Sequence, residues 1–150
     1  MKRRWVQGML LAGMLILTGC GAKNSSPVEN GKDYTWNDIT VMLPEDWADR
    51  CTIKEDENGF TIYQTASYEK MEGLGYLCSF EKSDAWMNYG AGENLIGYTE
   101  DGTLYYLMQP TDVACDTEDQ TIVEEYGSMM EEVTAIASSV KIDADDVHYD

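Results

Sequence analysis

Ile122, Val123, Tyr126, Met129, Met130, Val133, Ile136, Ala137 and Val140 recur at steps of three and four residues, while Glu124, Glu125, Glu131 and Glu132 take much of the remaining surface. That spacing lines one side of an α-helix and predicts a long amphipathic helix near the C-terminal end. Thr117 with Gln120 suits a capping box at its start, with Glu118 and Asp119 in the first turn where the helix dipole favours negative charge. A stripe of this length must be covered by a comparably apolar surface, and the preceding residues supply one in runs of period two.

The first such run is Tyr34 to Leu43, read as one strand that puts Ile39, Val41 and Leu43 on one side and Thr40 and Met42 on the other. Pro44 ends it, since proline cannot donate to a ladder. Arg50 to Lys54 and Phe60 to Gln64 flank Glu55-Asp56-Glu57-Asn58-Gly59 and predict a hairpin, with Asn58-Gly59 supplying the positive φ of the turn. Ser67 to Glu72 predicts a short helix stopped at Gly73. Leu74 to Lys82, with Tyr76, Cys78 and Phe80 on one face, and Leu95 to Thr99 and Leu104 to Gln109 around Glu100-Asp101-Gly102 complete the set. The expectation is an α+β domain over residues 34–142: an antiparallel sheet of about five strands with the long helix packed on one face. Residues 143–150 are expected to be an acidic, frayed tail, although Val140 to Ile142 could start an edge strand.

Four Trp, ten Tyr and two Phe, with 43% hydrophobic residues, supply a core rather than a disordered chain. At the other end of the chain, Met1-Lys2-Arg3-Arg4-Trp5 precedes an apolar run from Val6 to Leu17 that is too short to span a bilayer but suits an export signal. It ends in Leu17-Thr18-Gly19-Cys20, which resembles the bacterial lipobox. That resemblance implies cleavage after residue 19 and lipidation of Cys20, with acyl chains holding the protein to the extracytoplasmic face of a cell membrane. Residues 20–33 then form the lipidated cysteine and a small, polar tether reaching roughly 20 Å from the lipid surface.

Loss of residues 1–19 removes three of ten basic residues and none of the 28 acidic ones, leaving a formal charge of −21. A field of that sign repels nucleic acid and anionic headgroups and attracts cations and basic partners. With Cys20 lipidated, Cys51, Cys78 and Cys115 allow at most one internal disulfide, and none is expected to be catalytic.

The run Ile39-Thr40-Val41-Met42-Leu43-Pro44-Glu45-Asp46-Trp47 and the closing Ala137-Ser138-Ser139-Val140 are similar to the opening and end of the PsbP/Mog1-like family. The chain also resembles small lipoproteins of Gram-positive anaerobes. The first resemblance implies an antiparallel sheet with packed helices acting mainly as a non-enzymatic interaction module, and it carries over no catalytic residues.

Trp86, Tyr89 and Tyr98, in or beside the glycine-containing connection 83–94, are the candidate ligand-binding residues, able to stack on a carbohydrate or anchor a protein. The competing reading has Trp86 and Met87 plugging one end of the core. His148, the lone histidine, has no nucleophile motif beside it. Asp143, Asp145, Asp146, His148 and Asp150 lack the spacing of a calcium loop, so no metal and no cofactor is expected. The functional expectation is therefore a membrane-anchored, non-catalytic binding or accessory module. The alternative is a secreted hydrolase using a carboxylate pair, which composition does not single out.

Overall fold

The computed structural model describes residue 28, residues 30–86 and residues 93–150. Cys20, Met87 and Tyr89 lie outside the described residues. Among the described residues the fold is α+β, with nine strands in two antiparallel sheets and one long helix near the C-terminal end. The single five-strand sheet expected from the sequence is thus corrected.

One correction arises at the first apolar run. Tyr34 to Leu43 is a hairpin, β1 (Gly31–Trp36) and β2 (Ile39–Pro44), paired from Gly31↔Pro44 to Trp36↔Ile39. The chain reverses at Asn37-Asp38, where Asn37 takes φ 49°, a left-handed conformation that asparagine tolerates better than most residues. The alternation itself holds: Ile39, Val41 and Leu43 are buried. A 3-10 turn, Glu45–Trp47, follows the proline and buries Trp47 completely.

The second sheet has the order β3-β4-β5-β7-β6-β9. Its first hairpin joins β3 (Cys51–Glu55) to β4 (Gly59–Gln64) as expected, but no residue of the turn has positive φ. Asp56 organises the turn instead, its carboxylate accepting from the N–H groups of Asn58 (2.7 Å) and Gly59 (3.0 Å). Gly59 is needed for a different reason: a Cβ there would lie 1.9 Å from the Phe80 carbonyl oxygen. The short helix is α1 (Thr65–Tyr68), earlier than expected. In β5 (Tyr76–Ser83), a register shift between Ile62 and Tyr63 sends Leu77, with Cys78 and Phe80, into the core, while Tyr76 meets Tyr63 outside it. β6 (Glu93–Tyr98) and β7 (Leu104–Met108) pair around a turn in which Gly102 has φ 93°.

The long helix is α2 (Gln120–Ala137), and Asp119 caps it by accepting from the Thr121 N–H at 2.9 Å. Thr117 and Gln120 therefore do not form the cap, and Asp119 sits before the first turn rather than in it. Ile122, Tyr126, Met129, Val133 and Ile136 face inward, and the helix packs on β2 and β5, so one core is shared by both sheets. Gln64, fully buried, ties β4 to the helix. Its amide donates to the Ile122 carbonyl (2.9 Å) and the Glu125 carboxylate (2.7 Å) and accepts from Ser67 (2.6 Å).

Residues 143–150, expected as a tail, include a short paired strand, and the edge strand expected at Val140 to Ile142 is present at Lys141–Ile142. β8 (Lys141–Ile142) pairs with β2, and β9 (His148–Tyr149) pairs with β6 at the outer edge of the larger sheet. A charged segment can join an edge because only backbone groups need be satisfied there. Among the described residues, no helix is long and apolar enough to cross a membrane.

Candidate functional site

Where the β1–β2 turn reaches the larger sheet, Asp38 becomes the junction of the two. Lys82, from the end of β5, donates to one Asp38 oxygen at 2.8 Å, and the Tyr105 hydroxyl, from β7, donates to the other at 2.6 Å. The Asp38 carbonyl accepts from the Asp143 N–H at 2.8 Å, which joins the C-terminal segment to the same point. Partial burial pushes the Asp38 carboxyl upward, but the donors from Lys82 and Tyr105 outweigh it and hold the group below its ordinary value. Tyr105 moves the opposite way, raised by burial and by the carboxylate it serves. Lys82 also lies 5.4 Å above the Trp36 ring.

Asp38, Lys82 and Tyr105 line part of an open cleft of about 860 Å³. The β3–β4 turn, the end of β5, the β6–β7 turn and residues 144–146 form the rest. Among the described residues seven carboxylates line it, from Asp38, Glu57, Asp84, Glu100, Asp101, Asp145 and Asp146, and Lys82 is the one basic residue. Asp101 accepts from the Thr99 hydroxyl and from the Thr103 N–H (3.1 Å), and these bonds lower its pKa. Of the described carboxyls with a resolved shift, only Glu132 moves up, through burial and its neighbour Asp46, and it faces Trp47 rather than the cleft.

The aromatic residues singled out from the sequence divide. Trp86 is 76% exposed, so it does not plug the core, and it lies two residues beyond Asp84 of the cleft. Tyr98 is 43% exposed and stacks on His148 with ring centroids 5.1 Å apart. His148 is thus a ring partner on an edge strand. The acidic tail does not converge: among the described residues, no group of three or more His, Cys, Asp or Glu is placed to hold a metal ion.

No protein-family model, curated protein or solved structure matches this chain. The site is therefore read from its own chemistry. Cys51, Cys78 and Cys115 are free thiols, and burial raises all three. Raised thiols carry little thiolate at neutral pH and make poor nucleophiles.

Sequence reasoning missed Asp38, Lys82 and Tyr105. The Asn37-Asp38 dipeptide was a legible turn signal that could have split the first run. Nothing local marks Lys82 and Tyr105, whose partner is 44 and 67 residues away.

Proposed function

We propose that this chain is a lipoprotein, anchored through Cys20 on the extracytoplasmic face of a membrane, that works as a non-catalytic binding or accessory module. The PsbP/Mog1-like likeness of Ile39 to Trp47 belongs to the same proposal. In this reading the acidic cleft receives a cationic ligand. One observation carries it: among the described residues, seven carboxylates share the cleft with a single lysine, and that lysine is already paired with Asp38. The remaining carboxylates supply a field for an incoming cation. Two cleft acids, Asp38 and Asp101, are held toward ionisation, which suits binding better than proton donation. Trp86, exposed and close in sequence to Asp84, offers a ring face to an ammonium or guanidinium group.

Calorimetric titration of the full chain in detergent micelles with spermine tests the cleft. Binding is expected, weakening several-fold as salt rises from about 50 to 200 mM. Replacing Asp84 and Asp145 together by Asn should weaken it about tenfold. Affinity indifferent to that double substitution would overturn the reading. The anchor has its own test, since Cys20→Ser should move the protein from the membrane to the soluble fraction.

A further inference from the structure

The outer edge of β6 is closed by the chain's own last residues, and their charge is badly matched to the place they occupy. β9 contributes two pairs, Gly97↔Tyr149 and Tyr98↔His148. The Asp150 N–H adds a bond to the Ile96 carbonyl (3.0 Å), and the Tyr149 hydroxyl accepts from the Ile142 N–H (3.0 Å). Apolar support is thin: Val147 packs partly against the core, and Tyr149 is 56% exposed. A strand held by so few buried contacts opens more easily than the rest of a fold.

The edge itself is shaped for an adjoining backbone. A Cβ on Gly97 would lie 2.7 Å from the His148 carbonyl oxygen, so glycine lets the neighbouring strand approach. The occupant, however, is acidic. Asp145 and Asp146 stand in the same cleft as Glu100 and Asp101. Like charges gathered in one cleft repel, and residues 143–150 hold no lysine or arginine to offset them.

We propose that the β6 edge is a strand-addition site for a basic, extended polypeptide segment, and that residues 143–150 are its displaceable internal occupant. The choice of a basic segment rests on the cleft reading above, whereas the edge pairing stands on the backbone geometry alone. An incoming strand would take over the ladder bonds of β9, and its cations would replace aspartates beside the cleft.

The probe is a hexapeptide of alternating Lys and Val, titrated into the full chain in detergent micelles. An alternating Lys and Pro peptide of equal charge cannot donate at every second residue, and spermine reports the cleft alone. The Lys-Val peptide should bind about tenfold tighter than the Lys-Pro peptide, and Tyr149→Ala, which frees the internal strand, should tighten it about tenfold further. Tyr98→Cys with His148→Cys, directly opposed across the ladder, should lock the strand when oxidised, abolish peptide binding, and restore it on reduction. Equal affinity of the two peptides, or an oxidised lock that binds as well as the reduced one, overturns strand addition. Spermine binding without Lys-Val binding also sinks it while leaving the cleft reading intact, and absence of both defeats the two together. If Tyr149→Ala does not fold, the lock decides alone.

Discussion

Asp38 shows how one side chain joins a hairpin tip to a separate sheet, and its lowered pKa makes the junction testable by pH. A carboxyl whose folded pKa lies below its unfolded value stabilises the fold above the ordinary carboxylate range, near about 4, and loses that contribution as pH falls through the folded pKa. Asp38→Asn, which removes a charge accepting from Lys82 and Tyr105, should cost about 1–3 kcal/mol at neutral pH. In urea unfolding the gap to the unsubstituted protein should close toward pH 3, and a gap constant across pH would contradict the assignment. The identity of Asp38 as a turn residue was readable from Asn37-Asp38. Its two partners were not, because no local period connects a turn to the ends of strands so far along the chain.

Among the elements, the β3–β4 hairpin separates what local chemistry foretells from what packing imposes. Its existence followed from two β-rich runs around Asn58-Gly59, yet the glycine serves the neighbouring strand and Asp56 makes the turn. Gly59→Ala should therefore destabilise the protein by about 2–4 kcal/mol, because its methyl group would meet the Phe80 carbonyl rather than strain the turn. Thermal melting measures this. A substitution without effect would mean that β4 and β5 are farther apart than described. The same distinction applies to α2: its apolar stripe marked the helix, while its cap moved to Asp119, whose side chain could reach the Thr121 N–H. Several residues near a helix start carry suitable oxygens, and only the path of the incoming chain selects one.

At the scale of the molecule, α2 covers both sheets, so the two should unfold together. Met129, fully buried in the shared core, should cost about 2–5 kcal/mol when replaced by Ala. Amide exchange should report the loss equally in β2 and β4, and protection falling in one sheet alone would show two separate cores. The amphipathic stripe, the alternation in Ile39 to Leu43 and the glycine-bearing turn at Glu100-Asp101-Gly102 were determined by the sequence itself, since each depends on neighbours within a few residues. Only the tertiary structure decided the division into two sheets, the seating of the C-terminal strand on β6 and the gathering of carboxylates from five separate segments into one cleft. Those features depend on which distant backbone edges and turns meet, and that is settled by the free energy of the whole packed chain.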